Sequence, residues 1–485
     1  MPDSYTPYRG EVSASVIDAL RAVLGERGLL TDPKEMEQHL VEWRDNYHGA
    51  AAAVLRPAST AEVAAAVKIC HDAGVPIVPQ GGMTGLVGAG IPHEHGGEVV
   101  LSLRRLNRIL DVNPAAYTMT VEAGVVLKTI QETAAAHDRL FPLSLGAEGS
   151  CTIGGNLSTN AGGVQVLHYG NARNLVLGLE VVLPDGRIWN GLRSLKKDNT
   201  GYDLKQLYMG AEGTLGIITR AVLKLSPKPR DVATCWLAVR DPAASVELLS
   251  RATGASEDNV TSCELMSRQG IEFVLRHISG CVDPIAASHA WYVLMEWSSA
   301  RAAPEGGGMS PRMEEFLAQA MEDGLVLDAV VAQSTAQAQM FWKIRESHSE
   351  GQKIEGPSIK HDISVPVSEI PAFIERGLAA MCAIVPGLRP VPFGHVGDGN
   401  LHFNAQAPVG MDKATFFKHA PAINHAVYEL VRGVAGSISA EHGIGRFKLE
   451  ELEHYRDVVE LDLMRAIKRA LDPRQIMNPG KVIRV

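Results

Sequence analysis

The chain is poor in the features that assign a protein quickly, and each absence narrows the field. Its six cysteines, Cys70, Cys151, Cys235, Cys263, Cys281 and Cys382, lie far apart with no CxxC pair. That spacing builds neither an iron–sulfur cluster nor a zinc ribbon, so scattered reduced thiols are expected and any redox chemistry needs an organic cofactor. No apolar run approaches the roughly 18 to 20 residues that span a bilayer, which excludes an integral membrane protein. The start, MPDSYTPYRGEV, has neither the basic segment nor the apolar stretch of a secretory signal, so a cytoplasmic location is expected. A formal net charge of −9 argues against nucleic acid as a partner. Neither a GxGxxG turn between a first strand and a helix nor GxxxxGK[ST] occurs, so a Rossmann or P-loop nucleotide site is not supported.

What is present reads as an ordinary globular chain, 46% apolar and 21% charged. At 485 residues it exceeds the size at which one core stops growing, so two domains are expected. Residues 61–74 carry aliphatics at helical spacing and stop at a glycine, and a short strand, VPIVP, follows. Strand signals recur at 98–103 and 117–122, and LVLGLEVVLPDGRIWN predicts a hairpin turned at Pro184-Asp185-Gly186. After Pro227 and Pro229 the glycine clusters stop. Strands at 233–239 and 291–297 and helices near 312–323 and 366–381 then alternate. The expected layout is α+β: an N-terminal helical segment over 1–45, a first domain over 46–228 and a second over 229–485.

Two glycine-rich stretches stand out, Gln80 to Gly90 and Gly146 to Gly163. Their small residues permit close approach of a ligand, and glycine's positive φ lets successive backbone amides face an anion. Two such clusters about sixty residues apart suit a dinucleotide better than a single phosphate. A lone glycine-rich turn is as often a plain surface loop.

The segment FGHVGDGNLHFN predicts a metal-binding hairpin. With a loop over residues 397–400, His395 opposes His402 and both imidazoles share one face with Cβ atoms about 5 Å apart, with Asn404 on the same face. Two imidazoles call for a carboxylate, and Glu441 in SISAEHGIG is the best candidate. Such a site leaves positions open to polarise a substrate hydroxyl, and His442 could take the proton as hydride leaves the carbon. Zinc is the first expectation for the ion, with manganese, iron or cobalt as alternatives. Against this stands the ordinary fate of a strand histidine, which is to be a hydrogen-bonded surface residue.

PQGGMTGLVGAG, PLSLGAEGSCTIGGNLSTNAGG, GAEGTLGIIT, GHVGDGNLHFN, SISAEHGIG and the terminal NPGK occur in one order. In that order they resemble the FAD-linked oxidases of the vanillyl-alcohol-oxidase (PCMH-type) fold, in the branch holding glycolate oxidase, D-lactate dehydrogenase and D-2-hydroxyglutarate dehydrogenase. The resemblance implies a two-subdomain FAD-binding domain followed by a substrate-capping domain with an antiparallel sheet, and noncovalent FAD. It places the cofactor against Gln80, Gly81, Gly82, Met83, Thr84, Gly85, Leu86, Glu122, Pro142 and Leu143. In the second cluster it adds Gly146, Ser150, Thr152, Gly154, Gly155, Asn156, Thr159, Asn160, Gly162 and Gly163, and beyond it Glu212, Gly213, Gly216, Ile217 and Ile218. It makes His395, His402 and Glu441 the metal ligands and His442 the base. Arg345, Ser349, Lys360 and Asn404 resemble substrate contacts of the D-2-hydroxyglutarate branch, where cations hold a second carboxylate. The implied reaction oxidises an (R)-2-hydroxy acid to the 2-oxo acid, with D-2-hydroxyglutarate first and D-lactate as runner-up. The electron acceptor is external, an electron-transfer flavoprotein or quinone, and a homodimer is admitted. Two residues depart from the pattern: Met83 stands where asparagine is common, and Ser349 where threonine is expected. Rival readings are a flavin-free metallohydrolase and a noncatalytic FAD-binding scaffold.

Overall fold

The structure is a computed structural model and describes residues 10–45, 47–305 and 307–485. Most of the N-terminal stretch read for a secretory signal lies outside them. The chain divides into two compact units. The first comprises residues 1–162, 171–227 and 441–485, and the second residues 163–170 and 228–440. The last 45 residues thus return to the first unit, where the sequence reading kept 229–485 together. The cause is visible in the backbone: the Ile77 N–H donates to the Ile476 carbonyl at 2.7 Å, and the Asn478 N–H donates back to Ile77 at 2.8 Å. The chain end extends a sheet edge that would otherwise carry unpaired amides.

In the first unit, one sheet runs in the order Leu29–Leu30, Ala53–Leu55, Val99–Ser102, Ile77–Gln80, the last three parallel. The crossover between Ala53–Leu55 and Ile77–Gln80 is the helix Thr60–Ala73. Ser59 caps it by accepting the Glu62 N–H, and Gly74, at φ +69°, closes it. Its Val63, Ala66, Val67 and Cys70 face the core with Leu20, Leu55, Val99 and Leu101. The second sheet is antiparallel, in the order Ile109–Asn113, Thr118–Glu122, Ile217–Lys224, Val176–Val182, Ile188–Gly191. Its final hairpin turns where Pro184-Asp185-Gly186 predicts, with Gly186 at φ +86°.

The second unit is built on one antiparallel sheet. Its order is Val326–Val331, Asp231–Val239, Trp291–Ser299, Val260–Ser267, Arg389–His395, Asn400–Gln406, Ser358–Ile359, with Asp362–Ser364 also paired to Asn400–Gln406. Trp236, Phe273, Tyr292, Phe341 and Phe393 pack one of its buried clusters. The strand Val260–Ser267 is absent from the sequence reading. All eight of its residues are buried, so it lacks the polar–apolar alternation that marks a half-exposed strand. It carries the residue that organises the candidate site. No helix of the described residues is long and apolar enough to cross a membrane.

Candidate active site

In the first unit the two glycine clusters pack against each other. A Cβ on Gly81 would lie 2.6 Å from Thr152 Oγ1, and one on Gly82 only 2.3 Å from the Ser150 carbonyl oxygen, so no other residue fits there without moving the chain. Gly85, Gly146 and Gly149, by contrast, face open space. Thr152, at the N-terminus of the helix Ile153–Ser158, is buried, and its Oγ1 has no hydrogen-bond partner. A buried hydroxyl without a partner costs about 1–3 kcal/mol, which a polar ligand group would offset. The cradle therefore fits an anionic dinucleotide such as FAD.

Several residues assigned to the flavin by resemblance are engaged elsewhere through their side chains. Gln80 closes the base of the glycine loop, donating through Nε2 to the carbonyls of His39 (2.7 Å) and Gly90 (2.6 Å). Glu122 is gripped by Arg108, whose Nη2 donates to Oε1 at 2.7 Å and whose backbone N–H donates to Oε2 at 3.0 Å. Burial pushes that carboxyl up, but the Arg108 bonds outweigh it and hold it below the usual range. Asn160 Oδ1 accepts the Arg173 N–H. Glu212 turns its carboxylate onto the amides of Ile444 (2.8 Å) and Gly445 (2.9 Å), and burial pushes its carboxyl up to about 7. Met83 sits at φ +62°, a conformation asparagine tolerates better than methionine, which explains why this departure from the family pattern matters.

In the second unit the hairpin forms, but two residues out of the expected register. His395 opposes Asn400, and Phe393 opposes His402. The turn occupies residues 396–399 because each end is held by other bonds. The Val396 N–H donates to Cys263, Val365 donates to the Gly399 carbonyl, and Asp398 Oδ1 accepts the Asn400 N–H. Gly399 takes φ +77°. A slip of two preserves side-chain parity, so His395 and His402 still share a face, now as diagonal neighbours with ring centroids 5.8 Å apart.

His395 is buried, and its Nδ1 lies 2.7 Å from Oε1 of Glu264 on the adjacent strand. A carboxylate only accepts, so Nδ1 carries the proton and Nε2 is left with its lone pair, the form a metal ligand needs. Arg345 reaches the other oxygen, Oε2, through Nε at 2.8 Å and Nη2 at 2.7 Å. Burial pushes the Glu264 carboxyl up, yet the bonds from His395 and Arg345 outweigh it and hold it below its ordinary value. Arg345 is thus already paired with Glu264, and a substrate contact would use its remaining N–H groups. Its Nε and Nη2 are spent on Glu264, with Phe393 5.0 Å from its guanidinium carbon.

The remaining substrate candidates fall in two groups. Lys360 Nζ approaches the carbonyl of Ser349 at 3.5 Å, and Ser349 is exposed. Asn404 is buried and occupied at both ends, donating to Gln352 Oε1 (3.1 Å) and accepting the His361 N–H (3.1 Å). Sequence reasoning missed Glu264 and Asp362, the latter buried directly across the strand pair from His402. A lone glutamate within the otherwise uncharged run VTSCELMS was the available signal, since a buried carboxylate demands partners.

The described residues hold another His/carboxylate group at His93, His95 and Glu98 in the first unit. There Lys481 Nζ stands 3.4 Å from His93 Nδ1, so an ammonium already supplies the positive charge.

Comparison with known proteins identifies the chain's relatives. Residues 51–191 match the family described as "FAD binding domain", and residues 228–482 match "FAD linked oxidases, C-terminal domain". Curated relatives named D-2-hydroxyglutarate dehydrogenase include a mitochondrial one from Arabidopsis thaliana, 36% identical over 98% of this chain and 83% of its own. One from Xanthomonas citri pv. viticola is 37% identical over 94% of each chain. Among solved structures, p-cresol methylhydroxylase with substrate bound superposes with a TM-score of 0.75 at 17% identity, covering 98% of both chains. The 4-ethylphenol oxidase of Gulosibacter chungangensis does so at 0.73 and 18%, over 100% of this chain and 99% of its own. The chain belongs to the FAD-linked oxidase family, as a flavin-dependent dehydrogenase with the PCMH-type fold.

Proposed function

We propose that the chain oxidises D-2-hydroxyglutarate to 2-oxoglutarate at a divalent metal held by His395, His402 and Glu441, with His442 as base. The glycine cradle of the first unit would hold FAD noncovalently, and the flavin would supply the two-electron acceptor for the hydride on C2. The observation that carries the metal is the buried His395–Glu264 pair beside His402, an imidazole whose second nitrogen is committed to a carboxylate. Glu441 directly follows Ala440, whose N–H is bonded at 3.3 Å to the carbonyl of Asp362, on the sheet that bears both histidines. The ion would lower the pKa of the substrate hydroxyl; a His/His/carboxylate donor set suits zinc or manganese better than magnesium. His442 accepts the hydroxyl proton as the C–H bond breaks and C–O becomes C=O. Lys360 is the cation we assign to the distal carboxylate. An external electron-transfer flavoprotein or quinone would reoxidise the flavin. The relatives at 36–37% identity carry the choice of substrate.

One observation favours a second reading. Because Glu264 already matches the charge of Arg345, a monocarboxylate such as D-lactate would not leave that guanidinium uncompensated. The test is to mix holoenzyme, without acceptor, with D-2-hydroxyglutarate, its L enantiomer, D-lactate and D-malate, and follow flavin absorbance near 450 nm. Bleaching by D-2-hydroxyglutarate that Lys360→Ala weakens supports the first reading. Bleaching by D-lactate alone leaves the mechanism and replaces the substrate. No bleaching by any of them overturns both.

A further inference from the structure

Glu212 lies in the glycine-rich motif GAEGTLG, yet its carboxylate points at the chain's last segment. Its two oxygens accept consecutive backbone amides, Ile444 N–H on Oε1 at 2.8 Å and Gly445 N–H on Oε2 at 2.9 Å. The fit is close. A Cβ on Gly443 would fall 2.6 Å from Oε1, and one on Gly445 would fall 2.1 Å from the Val87 carbonyl oxygen. Both glycines take left-handed backbone, φ +82° and +51°. Glu212 is itself fixed from behind: its N–H donates to Ser158 at 2.8 Å, and its carbonyl accepts Asn478 Nδ2 at 2.8 Å. It is buried and at φ +49°, a conformation kept only where surroundings enforce it. The amides it grips begin two residues after His442.

We infer that Glu212 is a positioning residue whose carboxylate clamps the 443–445 backbone and thereby sets the placement of Glu441 and His442. The role rests on the reading of His442 as base. It explains why an acidic side chain occupies a glycine-rich motif. Two bonds between one carboxyl group and adjacent amides fix both position and direction of a chain, whereas one bond leaves a pivot.

Glu212→Gln is the first variant, since it keeps the shape and one carbonyl acceptor but presents an N–H₂ to the other amide. Gly443→Ala is the second, because its new Cβ displaces the same loop from the other side. Hydrogen–deuterium exchange of the peptide spanning 441–447 reads the clamp without reference to activity. Faster exchange in both variants is expected. In FAD-loaded protein, flavin reduction per bound FAD should fall roughly 10- to 100-fold, the scale of an ångström-sized misplacement. The KM should stay within about twofold, as expected when geometry rather than binding is lost. Unchanged exchange in Glu212→Gln removes the clamp. Faster exchange with a wild-type rate per bound flavin removes the positioning role, as does a loss explained entirely by missing FAD. If none of the hydroxy acids reduces the wild type, the reading of His442 fails and the positioning role with it; the exchange data then still report the clamp by itself.

Discussion

The glycine cradle at residues 81–90 and 146–162 offers a ligand backbone, while the hairpin at 395–402 offers side chains, and the two fail in different ways. In the cradle, shape is the function: Gly81 and Gly82 lie so close to Ser150–Thr152 that a single methyl group fills the space. In the hairpin, charge state is the function: Glu264 sets which nitrogen of His395 holds the proton, and Arg345 keeps Glu264 ionised. Damage to the first should release flavin; damage to the second should leave a yellow protein that does not react.

Removing the base breaks the comparison most sharply. His442→Asn should retain FAD and lose about 10²- to 10⁴-fold in the rate of flavin reduction, measured in single turnover. Loss of FAD instead would mean that the His442 loop belongs to the cradle. Glu264→Gln comes next, with metal affinity or reduction rate falling about 10- to 100-fold, read from metal content and single-turnover rates. Glu264→Ala should also destabilise by about 3–5 kcal/mol in a denaturant melt, because it strands the Arg345 charge in the interior. In the cradle, Gly82→Ala should cost about 1–3 kcal/mol by overpacking and show up as a reduced 450 to 280 nm absorbance ratio, with the remaining flavin fully reducible.

Acid probes the second unit by another route. Glu355 accepts bonds from His277 (2.6 Å), Arg276 (2.9 Å) and Arg389, and burial, which would raise its carboxyl, is outweighed so that it is held at about 2 against an ordinary 4.5. A depressed folded-state value stabilises the protein fully above pH 4.5, and that contribution fades as pH falls toward about 2. Urea midpoints should therefore drop between pH 5 and about pH 3 in the wild type, and less in Glu355→Gln. The smallest effect is at Met83, where asparagine would relieve the left-handed strain and raise stability by about 1 kcal/mol, measured as a melting-temperature gain in holoenzyme.

The same contrast governs what could be read from the sequence. A cradle of glycines advertises itself locally, and the helix stop at Gly74 and the turn at Gly186 follow from one residue's φ. Which cradle residues spend their side chains elsewhere was not legible, since Gln80, Glu122 and Glu212 bond to groups 10 to 233 positions away. The hairpin's face was legible because parity survives a slip of two. Its register was not, because the turn is pinned by Cys263 and Val365, distant in sequence from it. Glu264 stayed hidden in a strand with every residue buried, and the return of 441–485 to the first unit depends on an edge pairing at Ile77 that no local pattern announces.

The most direct test of the central claim is single-turnover flavin reduction by D-2-hydroxyglutarate before and after chelation, with FAD and metal content measured on the same samples. The chelated protein should keep its FAD, fail to bleach near 450 nm, and recover when zinc or manganese is restored. Metal-free holoenzyme that bleaches at the untreated rate would contradict it.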